Sequence, residues 1–217
     1  MHLNDFGNPL PSTQRMEEDR VDTARPVVRL LVILDKSLSM VEHQEQVTTS
    51  LRGFVQTLTS APNQPRYVVT LVAFSNESET LLQAQPIETL AIDYKADGEG
   101  TALFDAMAHT FTLETSRRAH VICLIVSDGE ENASRETDQR QIAAMVRNRL
   151  EWGNWIFLWL NLQGRPCKTA KALGITCVDS TRDRITESLR AVANQVCGVA
   201  ARLTASTRRL AIDGAKR

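Results

Sequence analysis

Four segments of the chain are nearly unbroken runs of β-branched and large apolar residues. They are "VVRLLVIL" from Val27, "YVVTLVAF" from Tyr67, "HVICLIVSD" from His120 and "WIFLWLNL" from Trp155. Continuous apolar runs of this length predict strands buried on both faces, as in a parallel sheet. Between and after them the period changes to that of a helix. Val47, Leu51, Phe54, Val55 and Leu58 recur at helical spacing, as do Leu103, Met107 and Phe111, and then Ile142, Met145, Val146 and Leu150. "RPCKTAKALG" carries Pro166 near its start and Gly174 just past its end, which predicts a short helix. "ITCVDS" predicts a short last strand. A final helix from about Thr181 carries Ile185, Leu189, Val192, Val196, Val199 and Leu203.

"APNQPR" breaks the first helix through Pro62 and Pro65. "ETLLQAQPIETL" predicts a weaker strand, and Pro86 suits it to a sheet edge. The predicted order is β-α-β-β-α-β-α-β-α-β-α. Such alternation implies an α/β domain with a mostly parallel sheet, helices on both faces and one antiparallel edge hairpin. Residues 1–26 are polar, with Pro9, Pro11 and Pro26, and predict an extension with at most a short helix near "TQRMEEDR". One domain is expected over 27–206, followed by a basic tail over 207–217.

Composition narrows the function classes. The 217 residues are 42% apolar and 24% charged, which supports a packed core and excludes a long disordered protein. A formal net charge of −1 argues against a nucleic-acid partner, which needs a clustered basic surface. The four cysteines, Cys123, Cys167, Cys177 and Cys197, form no CxxC pair and predict reduced thiols in a reducing compartment. No N-terminal apolar segment resembles a signal peptide, and "WIFLWLNL" is too short to span a bilayer. The expectation is a cytoplasmic protein with no membrane partner.

Open α/β sheets bind ligands beyond the carboxyl ends of their strands, where strand order reverses. The first strand ends in Asp35, followed by Ser37 and Ser39. That tripeptide alone reads equally as a helix N-cap with turn residues or as part of a metal site. "SDGEEN" places Asp128 at the tip of another apolar strand, and "DGEGTALFDA" places Thr101 in a glycine-rich loop before a helix. If the two strands are neighbours, two carboxylates and three hydroxyls converge. Adjacent carboxylates without a counterion repel, and a hard divalent cation relieves that. Small oxygen donors with two formal charges suit Mg²⁺, which Mn²⁺ can replace.

This pattern resembles the von Willebrand factor A (VWA) domain family, over roughly Val28 to Cys197. The matching residues are DxSxS (Asp35, Ser37, Ser39), the threonine of "GEGTALFDA" (Thr101) and the aspartate of "IVSDGEEN" (Asp128). The resemblance implies a three-layer, doubly wound, Rossmann-like α/β fold with sheet order 3-2-1-4-5-6. It implies a metal-ion-dependent adhesion site (MIDAS) in which Ser37 and Ser39 bind the cation directly. Thr101 and Asp128 would bind directly or through water, and Asp35 through water. Two positions depart from the common bacterial pattern: Leu38 and Glu99 stand where glycine is frequent. Leu38 is expected to restrict the loop or to offer an apolar contact to a partner. Glu99, with Glu130 and Glu131, is expected either to enrich the rim in negative charge or to be solvated loop charge.

The resemblance further implies a bacterial stand-alone interaction module without enzymatic activity, similar to VWA proteins of tellurite-resistance and other stress-response clusters. Its partner would be a protein, in the setting of an AAA+ ATPase or a kinase/phosphatase system. The alternatives are a Mg²⁺-dependent phosphatase-like hydrolase and a metal-free scaffold. A hydrolase of that kind wants a DxD pair, and Ser37 occupies its second position. P-loop, GxGxxG and GxSxG motifs are absent. His43 is expected at the surface or facing the site, and His120 in a structural role. Trp152, Trp155 and Trp159 are expected in the core or in an exposed patch. Arg202, Arg208 and Arg209 are expected on a solvated helix face and tail.

Overall fold

The computed structural model of the chain describes residues 26–60, 64–90, 93–128, 131–164 and 166–214, with backbone only for Arg182 and for 203–214. Most of the expected N-terminal extension, Pro62, Glu130 and the end of the expected basic tail lie outside the described residues. Six strands form one sheet: β1 (Val27–Asp35), β2 (Arg66–Phe74), β3 (Ser78–Pro86), β4 (His120–Ser127), β5 (Trp155–Asn161) and β6 (Thr176–Asp179). Their order is β3-β2-β1-β4-β5-β6. Every pairing is parallel except β2 with β3. Strand order therefore reverses between β1 and β4, and the carboxyl ends of those two strands open the crevice. The hairpin between β2 and β3 turns at Ser75–Glu77, where the Ser75 N–H donates to the Glu77 carbonyl.

Alternation along β1 divides the core into two layers. Val28, Leu30, Val32 and Leu34 face α1 (Gln44–Ser60) and α5 (Ile185–Gly214). That layer takes Val47, Leu51, Phe54 and Leu58 from α1, and Ile185, Leu189, Val192 and Val196 from α5. Leu31 and Ile33 face the other way. They pack with α2 (Leu103–Leu113), α3 (Gln139–Glu151) and α4 (Lys168–Leu173) through Met107, Phe111, Ile142, Val146 and Leu173. Arg29, the one charge in the first apolar run, pairs with the buried Glu114 at 3.0 Å. The short helix α4 starts after Cys167, whose Sγ accepts the Ala170 N–H, and ends at Gly174 with φ of 71°. That left-handed conformation is why glycine closes the helix. The final helix continues past Ser206 to Gly214, through part of the expected tail.

One expectation about side-chain faces needs correction. Leu150 is exposed rather than part of the buried face of α3. Arg149 occupies the apolar slot instead, its guanidinium 4.3 Å from the Phe111 ring centre and 5.0 Å from that of Trp155. It also donates to the Met145 and Phe111 carbonyls, so the charge is both stacked and hydrogen-bonded. The tryptophans resolve in favour of the core: Trp155 and Trp159 are buried, and Trp152 packs edge-on against Trp155. All four cysteines are reduced thiols. No helix among the described residues is long and apolar enough to cross a membrane.

Trp159 is fully buried, and its indole N–H has no partner among the described residues. Trp159→Phe is therefore expected to cost less than about 1.5 kcal/mol, because it removes an unsatisfied donor along with some volume. Trp159→Ala should cost about 3–5 kcal/mol by leaving a cavity. Chemical denaturation of both variants checks the contrast, and equal losses would contradict it.

Candidate metal centre

The site begins with the last residue of β1. Asp35 is wholly buried, and its two carboxylate oxygens have separate duties. Oδ1 accepts the Ser37 N–H at 2.8 Å, an Asp-stabilised turn that directs the chain out of the strand. Oδ2 accepts the Ser127 hydroxyl from the end of β4 at 2.6 Å. The Asp35 carbonyl accepts the Tyr94 hydroxyl at 2.6 Å.

Beyond the turn the oxygens form a chain. The Ser37 and Ser39 hydroxyls lie 3.1 Å apart, and Ser39 Oγ donates to Asp128 Oδ1 at 2.8 Å. Four of the five expected site residues, Asp35, Ser37, Ser39 and Asp128, are thus joined in one hydrogen-bonded relay. Asp35 and Ser37 are enclosed, Ser39 is exposed and Asp128 is half-buried.

Thr101, the fifth, is buried at the start of α2. Its loop is tied to the same place through the backbone. Gly98 bridges Ser37, and the Asp97 and Gly98 N–H groups both donate to the Lys36 carbonyl. The Thr101 N–H donates to Asn132 Oδ1 at 3.0 Å, and the Asn132 N–H returns to the Thr101 carbonyl at 3.1 Å. Gly98 has a steric reason to be glycine: a Cβ there would fall 2.0 Å from Ser75 Cβ.

The charges are uncompensated. Burial raises the Asp35 carboxyl above its ordinary value and Asp128's charge adds to this, against the bonds from Ser127 and Ser37. Burial raises Asp128 as well, opposed by the Ser39 bond and the nearby His43 and reinforced by Glu42. Among the described residues, neither carboxylate is ion-paired with a lysine or arginine. The relay is all oxygen, and no group of three or more His, Cys, Asp or Glu side chains suited to a metal occurs among the described residues. Two under-compensated carboxylates with hydroxyls between them fit a hard divalent cation better than a zinc-type nitrogen or sulfur site.

Several contributors escaped the sequence. Ser127 and Tyr94 hold Asp35, but each acts across a distance in sequence that only the fold closes. His43 is buried in the 3-10 turn Leu38–His43 ahead of α1, not at the surface. Its Nδ1 has no hydrogen-bond partner among the described residues, and Nε2 lies 3.8 Å from the Glu42 carboxylate. Glu131 is neither rim charge nor solvated. One oxygen accepts the Phe104 N–H at 2.9 Å, and the other accepts the Ala133 and Ser134 N–H groups. It caps α2, where a negative charge complements the helix dipole. Asp105 pins the same loop from α2. Burial pushes its carboxyl up, but bonds from the Arg135, Glu136 and Thr137 N–H groups outweigh this and hold it below its usual value.

Comparison with protein-family models and with curated proteins gives no match. Solved structures do match. A von Willebrand factor type A structure from Catenulispora acidiphila superposes with a TM-score of 0.57 at 14% identity, covering 77% of this chain and 42% of that one. Proximal thread matrix protein 1 from the mussel byssus gives 0.58 at 12% identity, covering 80% and 47%. The form of that mussel protein with a zinc-occupied MIDAS motif gives 0.56 at 15% identity, covering 80% and 48%. The chain spans less than half the length of each. It has the VWA fold, with the doubly wound strand order that the motif resemblance implied.

Burial raises the Asp35 and Asp128 carboxyls above their ordinary value. In chelator their cost is therefore absent below the unfolded pKa of about 3.9 and complete once pH has risen past the folded values. Asp35→Asn retains an acceptor for the Ser37 N–H and removes a buried charge. In chelator, its melting temperature relative to wild type should be highest at neutral pH and fall as the solution is made mildly acidic. A pH-independent difference would contradict the assignment of uncompensated charge. Separately, Gly98→Ala should destabilise the fold by about 1–3 kcal/mol through the clash with Ser75, measured by denaturant titration.

Proposed function

We propose that the protein is a metal-dependent protein-interaction module without enzymatic activity. The observation that carries this reading is the relay Asp35–Ser37–Ser39–Asp128, an oxygen-only set with uncompensated charge at the topological switch point. Ser37, Ser39, Thr101 and Asp128 would hold a divalent cation, Mg²⁺ or Mn²⁺, with Asp35 behind them. The bound cation would supply a Lewis-acidic position for a carboxylate oxygen of a partner protein.

The chain's own residues prepare that position. Asp35 fixes the turn through the Ser37 N–H and orients the Ser127 hydroxyl of the neighbouring strand. Ser37 and Ser39 present their hydroxyls in line with Asp128. Glu131, Asp105 and Asn132 fix the loop after Asp128 onto α2, so that wall is held before any partner arrives. The zinc-occupied MIDAS of the mussel thread protein supports divalent metal binding on this fold. A cytoplasmic setting with an AAA+ ATPase or a kinase/phosphatase system as partner rests on the motif resemblance alone.

The test is thermal. With cation at about a hundred times its dissociation constant, binding stabilises the fold by about 2.7 kcal/mol. That corresponds to a rise of roughly 5–10 °C for a domain of this size. Mg²⁺ or Mn²⁺ should produce it, EDTA should reverse it, and Ser39→Ala or Asp128→Ala should abolish it. A wild-type melting curve indifferent to Mg²⁺, Mn²⁺ and EDTA would sink the proposal.

A further inference from the structure

The turn Leu38–His43 is a 3-10 helix, so residues three apart stack into ridges. Met40 and His43 form the inward ridge, and both are buried. Ser39 and Glu42 form a second ridge, with Ser39 bonded to Asp128 and the Glu42 side chain 64% exposed. Leu38 and Val41 form the third, 56% and 51% exposed. Only five large hydrophobic residues are exposed among the described residues. Val27, Leu81 and Leu150 are scattered over a strand start, the edge strand and a helix end. Leu38 and Val41 alone share a face, one ridge away from the metal ligands.

The charge around this ridge is one-sided. Glu99 is exposed in the loop whose Gly98 bridges Ser37, and it makes no ion pair among the described residues. The nearby cations are engaged elsewhere: Lys36 with Asp97 and Glu79, and Lys95 with Asp97. A divalent cation would balance Asp35 and Asp128 and leave the exposed Glu99 at the rim, whereas the Glu42 carboxylate lies 3.8 Å from His43 Nε2. A strongly acidic partner segment would meet repulsion there, whereas basic flanks would be complementary.

From this geometry we propose that the metal face docks a protein segment of defined chemistry. The segment presents one carboxylate, an apolar side chain seated on Leu38 and Val41, and a basic side chain toward Glu99. The inference rests on the metal-dependent reading above and adds the partner's flanking chemistry to it.

Synthetic peptides with a central Glu in a Gly–Ser background test it, with neighbouring positions set to Leu, Lys, Asp or Ser. Their binding to the full chain is measured in Mg²⁺ by fluorescence anisotropy. The peptide carrying both Leu and Lys should bind about tenfold tighter or more than the Ser-flanked one. The double variant Leu38→Ser, Val41→Ser should lose the leucine preference while keeping its Mg²⁺ thermal shift. Glu99→Gln should level the preference for Lys over Asp. Equal binding of Leu- and Ser-flanked peptides, or no binding by any peptide at millimolar concentration, overturns the proposal even where the thermal shift persists. Flank preferences that survive EDTA and replacement of the central Glu by Gln would instead overturn the metal–carboxylate reading, and with it the carboxylate part of the segment.

Discussion

Asp35 is the group on which the crevice at the strand ends depends. One of its oxygens turns the chain out of β1, the other holds the tip of β4, and its carbonyl anchors Tyr94. A single buried carboxylate thus joins the two strands that flank the switch point to the turn that carries both serines. Its burial is also the source of the site's electrostatic tension, because a desolvated charge held by hydrogen bonds and no cation is incompletely compensated. That cost falls at the carboxyl ends of β1 and β4, where a ligand of opposite charge would remove it.

Four acidic side chains near this end show how the compensation differs. Asp105 and Glu131 are satisfied by backbone N–H groups of one loop and by the start of α2. They act as internal clamps and need nothing from outside. Asp35 and Asp128 depend largely on hydroxyl bonds, lie within each other's field, and are raised in pKa. The sign of the residue does not separate the clamped carboxylates from the under-compensated ones here. The number and kind of donors around it does.

The fold was largely legible because its signals are local. Continuous apolar runs marked β1, β2, β4 and β5, Pro86 marked the edge strand, and Pro166 with Gly174 bracketed α4. The site was legible to the extent that strand ends could be located, which brought Asp35, Ser37, Ser39 and Asp128 to one point. What failed depends on contacts between distant segments. Glu131 looks like loop charge until Phe104 is seen to donate to it across 27 residues. His43 looks like a surface residue because the first helix is expected to begin at once, whereas a 3-10 turn intervenes and rotates it inward. Leu150 looks buried by period, but Arg149 can reach three aromatic rings and displaces it.

The 3-10 turn after Ser37 couples three roles to one backbone phase. With three residues per turn, the inward ridge, the ridge of Ser39 and Glu42 and the apolar ridge are separated by a third of a rotation each. Substitution can change any one ridge and leave the others alone. Insertion or deletion of a single residue cannot: it would advance every later side chain to the next ridge, send Met40 or His43 outward and bury Val41 or Glu42. Divergence in this segment should therefore proceed by exchange of side chains at constant length, with Leu38 and Val41 free to vary while the spacing between the serines and α1 stays fixed.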